Sequence, residues 1–143
     1  MNCTNDVGFA HYFEENMKAL GLPAPTSSYT TVVAVVGALK GMSDAIATYG
    51  RTATVTQLAF RITWGYAVAP VVARAAGFIL AMGAAYYVGA MIGSAAVAAY
   101  KASGCAGPIS VAQVVAWARS NDIDAQWLEA ELISNPEILA RLA

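Results

Sequence analysis

The side chains able to do covalent or acid–base chemistry are few and far apart in this sequence. Histidine occurs once, as His11, and cysteine twice, as Cys3 and Cys105, without CxxC spacing. A Cys–His dyad with His11 is conceivable, but no second histidine or acid cluster supports such a nucleophile. Glu14 and Glu15 are adjacent, so on a helix they point to different sides and do not flank one bond. We therefore predict no catalytic residue, no metal site and no cofactor.

A different spacing dominates the apolar centre of the chain, where small residues recur at every fourth position. Residues four apart lie on one face of a helix, so the series predicts a smooth face about 30 Å long. Its members are Ala73, Gly77, Ala81, Ala85, Gly89 and Gly93, and Gly37 and Gly41 repeat the spacing earlier in the chain. In lipid, helices associate by close backbone approach across such faces. This pattern therefore indicates close packing of helices within a membrane.

The same segment has the length and the flanks of a marginal membrane span. Residues 75–100 carry no charge, and a span needs about 20 residues. Arg74 and Lys101 bracket the segment and are predicted to reach the two lipid interfaces. Alanine and glycine insert poorly, so insertion is not obligatory. The pattern indicates a chain that exists both in water and in membrane, although the central helix of a soluble bundle fits it too.

The composition agrees with contact to a membrane or to another apolar surface. Hydrophobic residues make up 58% of the 143 residues and charged residues 12%, about half the usual charged share. Neither Asp nor Glu occurs between Ala45 and Asn121, so the acidic residues flank an apolar, mildly cationic centre. The net charge of −1 gives no basic surface for nucleic acid.

Periodicity and capping residues predict an all-α fold. We expect a small helical bundle with a long central Gly/Ala-rich hydrophobic helix able to insert in membrane. The β-branched run 30–36 also suits a strand, but its Gly37/Gly41 spacing favours helix. The predicted helices cover residues 5–20, 29–49, 54–69, 71–102, 110–119, 122–133 and 136–143.

The chain is predicted to form one domain over residues 1–143. Within it we distinguish an N-terminal amphipathic helix and linker (1–26), a hydrophobic glycine-zipper region (27–104) and short C-terminal helices (105–143). Residues 1–20 lack the apolar core of a signal peptide, so any secretion is expected to use no cleavable leader.

A glycine zipper on a marginally hydrophobic helix, in a small helical chain with an acidic C-terminal tail, resembles the small pore-forming antibacterial effectors of bacterial type VI secretion. The resemblance covers mainly residues 30–104 and implies a toxin that inserts in the target cell inner membrane and dissipates the membrane potential by ion leakage. It also implies a secretion-tube or chaperone carrier and an immunity protein. The zipper itself predicts contact with a lipid bilayer and self-association within it.

Two other functions fit the same residues. One is a soluble helical adaptor or interaction domain whose apolar helices are covered by a partner. The other is a small holin-like integral membrane protein. If the small face serves only in lipid, valine at both Gly89 and Gly93 is expected to leave the protein folded and to block depolarisation of membranes.

Overall fold

The computed structural model describes residues 8–22, 32–59, 75–103 and 108–142, and within these ranges the regular structure is helical, without a strand. The all-α prediction is therefore confirmed for the described part of the chain. The helices, numbered in chain order, are α1 (Phe9–Ala19), α2 (Val32–Tyr49), α3 (Val55–Ala59), α4 (Ala76–Met82), α5 (Ala84–Ala102), α6 (Val111–Ser120), α7 (Leu128–Ser134) and α8 (Glu137–Leu142).

Helix α5 is the centre of the bundle. Every residue from Ala84 to Ala98 is buried, because α1, α2, α4, α6, α7 and α8 all pack around this one helix. Burial on every side explains why α5 lacks a polar stripe, since a helix that is apolar all round has no face suited to water. Of the charged residues that the structure describes, only Lys101 lies on α5.

Helix α1 packs the predicted amphipathic stripe against α5. The large side chains Phe9, Phe13, Met17 and Leu20 are buried, and Tyr12 is half-buried. The helix begins at Phe9, after Gly8 in the extended N-cap conformation, and residues 5–7 of the prediction lie outside the described ranges. It ends at the predicted glycine: Gly21 has a φ of +73°, which closes the last turn.

The single long helix predicted over residues 71–102 is wrong. Gly83 has φ +96° and ψ 153°, outside helical space, and separates α4 from α5. The axes of the two helices meet at an angle of 113°. The longest helix in the described ranges is α5, and residues 71–74 of the prediction lie outside those ranges.

We expect Gly83→Ala to lower the free energy of unfolding by about 1–3 kcal/mol, because a side chain is strained in this backbone region. Steric crowding is not the cause, since the nearest atom to an added Cβ is the Arg51 carbonyl oxygen at 3.9 Å. Thermal unfolding of the purified variant measures the effect. Gly77→Ala is the matched control, because Gly77 lies within α4 and gains helix propensity from alanine. Equal melting temperatures for the two variants would mean that the bend is not built into the fold.

The C-terminal third carries three short helices that return to α5. The predicted capping box at Ser110 and Gln113 is present and starts α6. The helix predicted from residue 122 begins later, at Leu128, because Asp122 adopts a positive φ of 57° and turns the chain. The helix predicted from Pro136 is observed as α8, which begins one residue later.

Candidate helix-packing site on the central helix

The small face of α5 is covered by C-terminal helices of the same chain. Gly89 faces α7: a Cβ added to it would lie 3.6 Å from Glu131 Cγ and 3.7 Å from both Leu128 Cδ1 and Trp127 Cζ3. These are ordinary van der Waals distances, so the space between α5 and α7 at Gly89 would hold the Cβ of an alanine. Side chains of α7 and of its N-cap residue Trp127 cover this position of α5.

Gly93 makes the equivalent contact one turn further along, with α8. An added Cβ would lie 3.5 Å from Leu139 Cδ2, 3.6 Å from Ile138 Cγ2 and 3.8 Å from Leu142 Cδ1. The GxxxG pair of α5 therefore serves two successive helices rather than one. Small residues at this spacing pack an internal contact in this conformation.

The predicted small-residue face is not continuous in space, because the bend at Gly83 divides it. Ala85, Gly89 and Gly93 are buried on α5. Gly77 and Ala81 lie on α4 and are exposed, and a Cβ added to Gly77 would meet no described atom of another element within 4 Å. The structure thus brings together three members of the series and leaves two in solvent.

The other residues predicted to pack helices or to anchor a membrane span lie on α2, at the end of α5 or outside the described residues. Gly37 and Gly41 lie half-buried on α2. Lys101 lies at the end of α5, with Nζ 6.0 Å from the centre of the Tyr12 ring. The predictions for Ala73 and Arg74, and for Cys3 and Cys105, lie outside the described residues.

An ion pair fastens α7 beside Gly89. Arg51 Nη2 donates to both carboxylate oxygens of Glu131, at 3.1 Å to Oε1 and 3.0 Å to Oε2. The Glu131 side chain is only 7% exposed, whereas that of Arg51 is 68% exposed. Asn135 Nδ2 adds a second donor to Oε1 at 3.2 Å. A buried carboxylate needs such partners, so this pair fixes α7 to the turn between α2 and α3.

Two further polar contacts hold the C-terminal helices at their edges. The Tyr86 hydroxyl donates to Glu137 Oε1 at 3.2 Å, which ties α5 to α8. Burial raises the pKa of the Tyr86 phenol above its usual value, and the Glu137 carboxylate raises it further, so the phenol remains a donor. Trp127 Nε1 donates to Ser43 Oγ at 3.2 Å and joins the start of α7 to α2.

A buried polar pair crosses between α1 and α5. Asn16 Nδ2 donates to the backbone carbonyl oxygen of Ser94 at 2.9 Å. The Ser94 hydroxyl is fully buried and has no hydrogen-bond partner among the described residues. A buried hydroxyl without a partner costs about 1–3 kcal/mol of folding free energy.

Of the residues considered for acid–base chemistry, the structure describes His11, Glu14 and Glu15, all on α1. His11 lies on the surface of α1, with Nε2 3.3 Å from Glu15 Oε1 and both side chains more than half exposed. Among the described residues no three His, Cys, Asp or Glu side chains come together as metal ligands would. The His11–Glu15 contact joins two side chains one turn apart on the exposed side of α1.

Sequence reasoning missed the ion pair and the bend. Arg51 and Glu131 lie 80 positions apart, and no periodic pattern in the sequence relates the two residues. For the bend a signal was present: Gly83 falls off the four-residue series, so it adds nothing to the small face. A glycine outside such a stripe, within an apolar helix, is a candidate break.

Within the described ranges, none of the helices taken singly has both the length and the apolar character needed to cross a membrane. Helices α4 and α5 together reach that length and composition, as a pair bent by 113°. Comparison with known protein families, with curated proteins and with solved structures finds no match to this chain.

Proposed function

We propose that this protein is an antibacterial pore-forming toxin that permeabilises the inner membrane of a target cell and dissipates its membrane potential. The observation that carries the proposal is the exposure of two small residues on α4, Gly77 and Ala81. Gly77 and Ala81 belong to the same four-residue series as Gly89 and Gly93, yet they are exposed, and no described atom of another element lies near an added Cβ at Gly77. Small residues at helical spacing suit close helix contacts in lipid. Insertion into a membrane therefore gives the exposed small residues of α4 a role in helix packing.

The apolar surface beside these two residues supports contact with a bilayer. Leu80 is 82% exposed and Met82 is 47% exposed, and α4 carries no charged residue. Burial of such side chains in hydrocarbon stabilises by about 1.5–3 kcal/mol each. In the proposed mechanism α4 contacts lipid first, and the uncharged part of α5 follows it into the bilayer.

The proposed partners follow from the same mechanism and from the resemblance to type VI effectors. In lipid the small face packs against further copies of the chain. A secretion-tube or chaperone carrier covers α4 during delivery, and an immunity protein blocks the assembled pore in the producing cell.

The decisive experiment changes α4 alone. We expect Gly77→Val and Ala81→Val each to slow dye release from liposomes, and loss of potential in target cells, by roughly tenfold, because a branched side chain separates the helix backbones. Far-UV circular dichroism should remain that of the wild type, because both positions are exposed. Ala116→Val, at an exposed position of α6, is the matched control and should permeabilise as the wild type does.

Equal dye release by all four proteins would exclude the α4 face as a lipid-phase interface. Failure of the wild type itself to release dye would contradict the pore-forming function. It would favour the second candidate, a soluble helical adaptor.

The adaptor is supported by a different observation. Side chains of the same chain already cover Gly89 and Gly93, as in the core of a water-soluble bundle. In that case the exposed strip of α4 is the surface to which a partner protein binds. Copurification of one stoichiometric partner, lost in Leu80→Ser, distinguishes the adaptor from the toxin.

A further inference from the structure

The Ser94 hydroxyl lies near the middle of the central helix, in its fully buried part. Among the described residues it is the only buried side-chain polar atom without a hydrogen-bond partner. The sequence around it is apolar, because no other polar side chain occurs between Tyr87 and Tyr100. Burial of an unpaired hydroxyl costs stability, and such a group in a folded protein calls for an explanation.

Ser94 shares one side of α5 with two other polar residues. Tyr87, Ser94 and Lys101 are spaced seven positions apart, and seven residues make nearly two helical turns, with a drift of about 20°. The three side chains therefore form a line about 21 Å long at 1.5 Å per residue, here called the polar line. Ser94 lies five positions from Gly89, or about 140° around the helix, so the polar line and the small face are on different sides of α5.

Helix α1 covers two members of the polar line. Asn16 Nδ2 donates to the backbone carbonyl oxygen of Ser94 at 2.9 Å. One turn earlier on α1, the centre of the Tyr12 ring lies 6.0 Å from Lys101 Nζ. In the compact fold α1 thus separates this part of α5 from water.

The amphipathic character of α1 suits a second position at a bilayer surface. Its buried stripe contains Phe9, Phe13 and Met17, whereas Glu14 and Lys18 on its outer side are more than half exposed and form an ion pair. A helix with this division of side chains can lie in the interface, with its apolar stripe in the acyl boundary. Transfer of α1 from α5 to the interface keeps the stripe buried and opens the polar line to water.

We propose that the polar line is the water-facing wall of the pore, along which ions pass Tyr87, Ser94 and Lys101 once α1 has moved to the bilayer surface. The inference rests on the proposed pore-forming function and names the side of α5 that the ions contact. Polar side chains within membrane segments face the bundle interior or a water-filled cavity. Water in the pore supplies the Ser94 hydroxyl with hydrogen bonds, and Lys101 places a positive charge at one mouth.

The first test measures contact with water directly, in the full chain carrying Cys3→Ser and Cys105→Ser. Ser94→Cys places a thiol on the polar line, and the control Ala96→Cys places one about 200° around the helix. A charged methanethiosulfonate is added to open channels in a planar bilayer. We expect Ser94→Cys to react at least roughly tenfold faster than Ala96→Cys and to lose current, because the reactive thiolate forms in water and not in apolar surroundings.

The second test changes the charge at the proposed mouth and leaves the buried part of α5 intact. Lys101→Glu should raise the ratio of potassium to chloride permeability several-fold, because a charged ring at a pore mouth selects ions of opposite sign. The reversal potential under a potassium chloride gradient measures this ratio. Lys40→Glu is the control, because it makes the same charge change at an exposed position of α2, and it should leave the ratio at the wild-type value.

The unpaired state of the Ser94 hydroxyl is tested without a membrane. Ser94→Ala should raise the melting temperature by several degrees, because it removes the hydroxyl and keeps the backbone carbonyl that Asn16 binds. Ser43→Ala is the contrasting control: the Ser43 hydroxyl is buried too, but it donates to the Asp124 carbonyl oxygen and accepts from Trp127 Nε1. Its loss should lower the melting temperature. A lower melting temperature in both variants would show that Ser94 is paired and would overturn the premise.

The membrane outcomes separate this inference from the proposed function. Channel current is expected from the wild type, and its absence would contradict the pore-forming function together with the polar line. If the wild type conducts but Ala96→Cys reacts as fast as Ser94→Cys, ions pass another side of α5 and the polar line is wrong. Equal permeability ratios in Lys101→Glu and Lys40→Glu would likewise overturn the polar line while the pore-forming function stands.

Discussion

Valine at both Gly89 and Gly93 is expected to lower the free energy of unfolding by about 2–6 kcal/mol, since overpacking costs about 1–3 kcal/mol at each site. A Cβ alone fits at both positions, at 3.5 Å or more from its neighbours. The two methyl groups that valine carries beyond its Cβ have no such space, because side chains of α7 and α8 already lie at van der Waals distance from the Cβ position. Chemical denaturation monitored by circular dichroism measures the loss, and hydrogen exchange should locate it in residues 127–142.

This result differs from the expectation drawn from the sequence, in which the double valine variant stays folded and loses activity only in lipid. The structure revises that expectation because both glycines pack against the chain itself. The matched control is Gly89→Ala with Gly93→Ala. It should keep or slightly raise stability, because alanine adds helix propensity of up to about 1 kcal/mol per site and its Cβ fits. A valine variant as stable as the alanine variant would mean that the C-terminal helices do not lie on this face.

Replacing Phe13 by alanine is expected to lower the free energy of unfolding by about 3–5 kcal/mol, the usual cost of removing a buried aromatic ring. Phe13 is fully buried where α1 meets α5, and its ring stacks on Phe9 with centroids 5.6 Å apart. The variant leaves a cavity between the two helices that a rigid helix pair cannot close. In thermal unfolding we expect a fall of about 10–20 °C in Tm.

His11→Ala is the control for this prediction, because His11 lies on the same helix and faces solvent. It should change stability by no more than about 0.5 kcal/mol and leave dye release at the wild-type rate. A large loss of membrane activity in His11→Ala would instead support the Cys–His chemistry that the sequence makes conceivable. Equal stability of Phe13→Ala and His11→Ala would show that α1 does not pack on the central helix.

The sequence by itself determined that the described chain is helical and which face of α1 is apolar. The stripe of α1 and the capping box of α6 were predictable because both depend on residues three or four apart, which one turn of helix brings together. Local hydrogen bonding fixes these features wherever the segment lies in the fold.

The tertiary structure alone decided what fills the small face and where the long apolar segment bends. Glycine is compatible with helix and with the positive φ of Gly83, so its presence does not choose between them. The small face of α5 fits any partner of suitable shape. In the folded chain α7 and α8 cover it, because the chain after α6 returns to α5. The Arg51–Glu131 pair was invisible for a related reason: its attraction depends on distance in space, and 80 residues of sequence carry no information about that distance until the helices pack.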